Sequence, residues 1–198
     1  MLHQAIDEEF ASHEEWVLRR QKGIPNNRRL FVLACMDERI PVEEVLGIRL
    51  GDAHVFRNAG GVVTDDVIRS AALTTNLFGT KEIIVINHTE CGMMSASAQV
   101  VAQALSDKAG VDLGELSIDP AVPEVRLRDG SFARWLRCFD DVDDNVAAQV
   151  ELLRGHSLIP KDVVIHGYVY EVDTGRLRPH HRVLARKVNT AKEMAAVR

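Results

Sequence analysis

The segment Leu30-Phe31-Val32-Leu33-Ala34-Cys35-Met36-Asp37-Glu38-Arg39 decides the fold. Its first five residues form an unbroken apolar run, too short for a core helix and ending abruptly at Cys35. A strand covered on both faces reads this way, without the alternation of a half-solvated one. Ile83 to Ile86 repeats the pattern and stops just before His88. Between the two runs, Thr64 can cap a helix whose first turn carries Asp65 and Asp66, as the helix dipole favours. That helix is predicted to run to about Phe78 and to end at Gly79. Strand, helix and strand in this order indicate an α/β fold, a single domain with a mainly parallel central β-sheet flanked by helices.

The rest of the chain extends the pattern. Ala53 to Phe56 is a shorter strand followed by the turn Asn58-Ala59-Gly60-Gly61. Met93 to Leu105 and Val142 to Leu153 have helical periodicity, and Val163 to Val172 is a strand that turns at Asp173-Thr174-Gly175 into a last short one. Residues 107–130 hold Gly110, Gly114, Pro120, Pro123 and Gly130 and read as an insertion or long loop, with Phe132, Trp135, Leu136 and Phe139 placed to anchor it. Residues 1–24 form an N-terminal helical arm with Leu2, Ile6, Phe10, Trp16 and Val17 on one stripe, ended by Gly23 and Pro25. The basic tail from Arg182 reads as a loose helix.

The 198 residues suffice to bury a core without disulfide support. Twenty-four Lys and Arg against 29 Asp and Glu leave a net charge of −5, which gives no electrostatic footing on nucleic acid. No apolar run approaches the length of a membrane span. The acids in MLHQAIDEEF do not suit a signal peptide, so a cytoplasmic protein is expected. Three cysteines are too few and too odd in number for a disulfide framework, which leaves burial, nucleophilic catalysis or metal binding.

Ligands gather at the carboxyl ends of strands in open α/β sheets. Cys35 ends one strand, and His88 and Cys91 follow another, so right-handed crossovers can bring them to one edge. Two thiolates and an imidazole suit Zn²⁺ and leave a fourth position open, as catalytic zinc requires. Asp37 and Arg39 follow Cys35 by two and four residues and would face the same way in an extended chain. Asp37 could accept a hydrogen bond from a water on the metal, or ligate it directly, while Arg39 holds the carboxylate ionised. Each piece has a plainer alternative: a buried Cys35, a Cys35 thiol with His88 as base, or a surface ion pair of Asp37 and Arg39.

Cys35-x-Asp37-x-Arg39 followed by His88-x-x-Cys91-Gly92 resembles the β-class carbonic anhydrases. The resemblance continues through Arg57-Asn58-Ala59-Gly60-Gly61 and His166-Gly167-Tyr168-Val169-Tyr170, spanning about residues 25–178. It implies Cys35, His88 and Cys91 as zinc ligands, Asp37 and Arg39 as the supporting dyad, and a homodimer, often doubled to a homotetramer, in which the N-terminal helix embraces its partner. The chain departs from the plant-type pattern at Asn26, where glutamine is common, at Leu73, where tyrosine is common, and at Met93, where a second glycine follows Gly92.

LRRQKGIPNNRRLFVLACMDER, SAALTTNLFGTKEII and LIPKDVVIHGYVYEV look more like the subgroup that hydrolyses carbonyl sulfide or carbon disulfide. Sulfur is larger and less hydrogen-bonding than oxygen, so an apolar wall would suit these substrates. The expected pocket comprises Asn26, Gly60, Leu73, Gly92 and Met93. The expected reaction is attack of zinc-bound hydroxide on carbonyl sulfide, giving CO₂ and hydrogen sulfide, with CO₂ hydration or carbon disulfide hydrolysis as alternatives. A non-catalytic zinc or redox protein fits less well, because it needs no Asp37–Arg39 dyad. Cys138 reads as a packed thiol, His54 and His166 as structural histidines, and His180-His181 as an exposed pair.

Overall fold

The computed structural model of the protein describes residues 25–113, 116–117 and 131–180. The arm over 1–24, most of the second half of the insertion and the tail from residue 181 lie outside the described residues. Five strands form one sheet in the order β2-β1-β3-β4-β5. β1 (Leu30–Cys35) is flanked by β2 (Ala53–Asn58) and β3 (Glu82–His88), both parallel to it. β4 (Val164–Glu171) continues the parallel array beside β3, and β5 (Arg176–Pro179) closes it antiparallel.

Both apolar runs are buried because both faces of the central sheet are covered. Phe31, Leu33, Ile83, Val85 and Ile165 meet Val67 and Ala71 of α2 (Asp65–Asn76) and Val146, Val150 and Leu153 of α6 (Val142–Gly155). The opposite face collects Leu30, Val32, Ala34, Ile86 and Tyr170 with Ile40, Val42 and Ile48. Thr64 caps α2 as expected by accepting from the Val67 N–H, and Asp141 caps α6 by accepting from that of Asp144. α2 stops at Asn76, two residues before the expected end, and Gly79 supplies the positive φ of the following turn.

Four features differ from the sequence reading. Val42–Leu46 is a short helix, α1, announced by Pro41 at its start and Gly47 in the left-handed conformation at its end. The helix expected over Met93–Leu105 is two: α3 (Gly92–Ser95) and α4 (Ala98–Ala109), which enters the insertion. The Met93 carbonyl accepts from the Phe139 N–H and so is not spent on continuing the helix, and Ala96 and Ser97 are extended. In α5 (Ser131–Leu136), Trp135 stacks on Phe132 yet stays 46% exposed, so the core contact expected of it falls to Phe139. His180 is buried rather than exposed, with its N–H on the Gly167 carbonyl and its ring beside Asp143.

Candidate metal centre

β1 and β3 are neighbours and parallel, with Ala34 opposite Ile86, so Cys35 and His88 emerge together at the carboxyl edge. The turn after His88 returns Cys91 to the same point. The Thr89 N–H bonds the Tyr170 carbonyl, and the Thr89 hydroxyl accepts from the Val172 N–H, which ties this turn to β4. The donor atoms of Cys35, His88 and Cys91 lie within 4.8 Å of one another, and all three residues are buried. The two sulfurs are 3.9 Å apart.

The His88 ring is oriented by its own neighbour. Nδ1 lies 2.9 Å from the Thr89 carbonyl, which can only accept, so Nδ1 carries a proton and in the neutral ring Nε2 presents a lone pair. Nε2 is fully buried and has no hydrogen-bond partner. A bare buried acceptor costs free energy unless something electropositive meets it. A soft divalent cation between two sulfurs and this nitrogen would do so, and the donor set fits one.

The two sulfurs are close enough for one thiol to donate to the other. The contact with Cys91 is the main reason the Cys35 thiol falls to about 4, with smaller help from His88 and from backbone N–H groups at Asp37 and Gly60, against the cost of burial. The same contact, with burial, pushes Cys91 up. A metal would replace that thiol proton as counter-charge for both sulfurs.

Asp37 and Arg39 pair as expected but by a different geometry. The chain leaves β1 into a turn rather than continuing extended, and the Asp37 carboxylate accepts from the Arg39 backbone N–H at 3.0 Å. That local turn aims the guanidinium, which closes a two-pronged pair at 2.9 Å on each oxygen. Arg39 holds the Asp37 carboxyl down at about 2. Asp37 Oδ2 stands 3.7 Å from His88 Nε2, at the rim of the ligand triangle.

Two residues absent from the sequence reading of this site complete it. Arg39 also reaches the Glu90 carboxylate at 3.0 Å and its backbone carbonyl, so one guanidinium joins the loops after β1 and β3. Glu90 adopts a φ of 58°, which an L-residue pays for and which nothing in its residue type advertises. Arg57 on β2 bonds the Cys35 and Asp37 carbonyls.

Of the expected pocket, Gly60, Gly92 and Met93 surround the cluster. Gly60 is buried with a φ of 82°, and a Cβ there would lie 3.3 Å from the Met93 side chain. The other two residues are not brought there within this chain. The Asn26 side chain both donates to and accepts from the Leu30 backbone, at the opposite end of β1 from Cys35. Leu73 faces outward from α2 in an open apolar groove with Ile68, Leu77 and Leu158, which none of the cluster residues lines. Glutamine or tyrosine at equivalent positions gave a reason to expect both near substrate, but sequence offset does not encode which end of a strand a residue occupies.

A sheet with a buried Cys-His-Cys triangle at its carboxyl edge and a carboxylate–guanidinium pair at the rim defines an α/β protein with a site that could hold a metal ion. The carbonic anhydrase family model matches residues 30–177. A carbon disulfide hydrolase of Acidithiobacillus thiooxidans is 58% identical over 197 residues, 98% of each chain. A solved structure of the apo form of carbon disulfide hydrolase superposes with a TM-score of 0.77 at 49% identity, covering 94% of this chain and 95% of its own. Beta-carbonic anhydrase 1 of Mycobacterium tuberculosis is 36% identical over 155 residues, 78% of this chain and 83% of that one. The chain belongs to the β-carbonic anhydrase family, on the side of its carbon disulfide hydrolases. It is an enzyme, and no helix among its described residues is long and apolar enough to cross a membrane.

Proposed function

We propose that this chain hydrolyses carbon disulfide and carbonyl sulfide at a zinc centre held by Cys35, His88 and Cys91. The observation that carries this reading is the buried ligand triangle with its bare imidazole nitrogen, in a chain 58% identical to a carbon disulfide hydrolase. Carbonyl sulfide, foremost in the sequence reading, becomes the second of two substrates. Carbon disulfide and water give carbonyl sulfide and hydrogen sulfide; carbonyl sulfide and water give CO₂ and hydrogen sulfide. One site suited to linear molecules with an electrophilic carbon serves both steps.

Zinc, when bound, supplies a Lewis acid that lowers the pKa of water toward neutrality. The protein supplies the rest. Asp37, kept ionised by Arg39, accepts a hydrogen bond from the attacking water and orients it. The Glu90 carboxylate and backbone carbonyl hold Arg39 in register. Gly92 leaves open space beside the cluster, and Met93, packed on Gly60, adds an apolar side chain where a second glycine would leave polar backbone open. The substrates are small molecules, and a homodimer or homotetramer is the expected assembly.

The test is a paired assay on zinc-loaded protein with Cys35→Ala as blank. Sulfide release is followed from carbon disulfide and from carbonyl sulfide, and proton release from CO₂ hydration. Sulfide from both, with hydration much slower, is the expected result. Fast hydration without sulfide would favour the second reading, a carbonic anhydrase, which the Asp37–Arg39 dyad and the family match also suit.

A further inference from the structure

Three amide side chains are buried behind the metal centre. Asn87 precedes His88 on β3, while Asn145 and Gln149 sit one turn apart on the inner face of α6. None is more than 7% exposed. The rest of that helix face is Val142, Val146, Val150 and Leu153, so the two amides interrupt an apolar stripe.

Their hydrogen bonds run in one direction. The Val63 N–H can only donate, and it gives to Gln149 Oε1 at 2.8 Å. Gln149 Nε2 therefore donates to Asn145 Oδ1 at 2.8 Å, and Asn145 Nδ2 to Asn87 Oδ1 at 2.9 Å. Asn87 Nδ2 ends the series on the Gly60 and Gly61 carbonyls at 2.9 and 3.0 Å. The series begins and ends in one turn, with every amide orientation fixed by its two ends.

That turn does not need α6 to hold together, because the Asn58 side chain already bonds both the N–H and the carbonyl of Val62. Apolar residues at 145 and 149 would leave the buried Val63 N–H and Asn87 Oδ1 unpaired, so the series satisfies these groups. It also fixes where the turn lies. A Cβ on Gly61 would stand 2.8 Å from the Cys35 backbone nitrogen, so this turn lies directly on the strand end that carries a ligand. Asn87 is covalently next to the imidazole ligand.

We infer that Asn87, Asn145 and Gln149 are positioning residues of the metal centre, a polarised amide series that sets the 60–63 turn against Cys35 and thereby tunes the metal. The inference rests on the zinc-centre reading proposed above. It separates from a merely cohesive role because it makes properties of the metal, not only of the fold, depend on residues that touch no ligand.

The test uses full-length protein loaded with Co²⁺, whose thiolate charge-transfer absorption reports the ligand sulfurs. Gln149→Met keeps the volume and removes both hydrogen bonds. Gln149→Glu, once ionised, keeps the acceptor for Val63 but cannot donate to Asn145, so both asparagine amides must turn over and present oxygen to the Gly60 and Gly61 carbonyls; the readouts are taken across pH, because a protonated carboxyl would still donate. Leu153→Ala, on the same helix and in the core, is the destabilised control. Both Gln149 variants should lose about tenfold in Co²⁺ affinity, the usual range for groups that support metal ligands, and shift the absorption band. Sulfide release should fall in kcat with KM kept. The control should lower the unfolding midpoint and leave affinity and band unchanged. Should Gln149→Met fail to fold, Gln149→Glu carries the same readouts. Wild-type affinity and spectrum in a folded Gln149 variant would overturn the inference, as would an equal shift in Leu153→Ala. Wild-type protein that bound no Co²⁺ or Zn²⁺ would overturn the zinc-centre reading, and this inference with it.

Discussion

Replacing Gly61 by alanine should be far costlier than replacing Gly47, although the two glycines have nearly the same φ, 59° and 57°. The left-handed conformation costs an L-residue roughly 1–2 kcal/mol at either position. At Gly47 a Cβ meets nothing within 4 Å, so the conformational cost is the whole cost. At Gly61 the Cβ would stand 2.8 Å from both the Cys35 nitrogen and Asn87 Nδ2, and 2.9 Å from the Ile86 carbonyl oxygen. Two of these are backbone atoms of the central strands and cannot swing aside. Overpacking a rigid site adds about 1–3 kcal/mol, for a sum of roughly 2–5 kcal/mol. That is a large part of the roughly 5–15 kcal/mol by which a domain is stable. At this chain length each kcal/mol moves the thermal midpoint by about 2–4 °C. The assay is unfolding of both variants beside wild type, repeated after chelation. Gly61→Ala should also bind zinc more weakly, because relief of the clash displaces Cys35 or Asn87, whereas Gly47→Ala should bind it as wild type does. Equal midpoints for the two variants, with zinc affinity intact in both, would refute the close approach of this turn to the ligand strand.

Arg39→Ala should retain zinc, since Arg39 touches no ligand atom, while sulfide release falls by about two orders of magnitude through loss of Asp37 orientation; metal analysis beside initial rates checks both. Loss of the metal would mean that the Arg39 bridge to Glu90 is what holds the 89–91 turn. Met93→Gly, which restores a second glycine beside Gly60, should lower the ratio of sulfide release to CO₂ hydration by about tenfold, the discrimination that apolar contact supplies. Leu73→Tyr should leave that ratio unchanged, because Leu73 lines a groove apart from the cluster; a shift would mean that a second copy of the chain carries Leu73 to the site.

The sheet was legible because β1 and β3 are covered on both faces, and burial on both faces is what makes a run continuously apolar. α2 was legible because Thr64, Asp65 and Asp66 announce its start chemically. The break inside the helix expected over 93–105 was not legible because it depends on a carbonyl claimed by Phe139, 46 residues onward, which periodicity cannot register. Asn145 and Gln149 did carry a signal, as polar residues on an apolar helix face. That pattern says such groups are satisfied, but not that the partner is Asn87 on another element.

The same distinction separates the ligand triangle from what surrounds it. The convergence of Cys35, His88 and Cys91 could be read because the fold puts strand ends together, and these side chains are ones that metal chemistry uses. The groups that orient them are largely backbone: the Thr89 carbonyl on His88, the Cys35 and Asp37 carbonyls on Arg57. A carbonyl or an N–H is available at nearly every residue and leaves no mark in a sequence. What can be seen is its indirect trace, a glycine where a Cβ would strike a ligand strand or a buried amide where a valine would otherwise pack. Gly61 and Asn87 are such traces, and they meet at a hypothetical distance of 2.8 Å. Substrate preference among relatives that share the triangle should therefore be sought first in residues that set this turn and in Met93 beside it, and only then in the ligands.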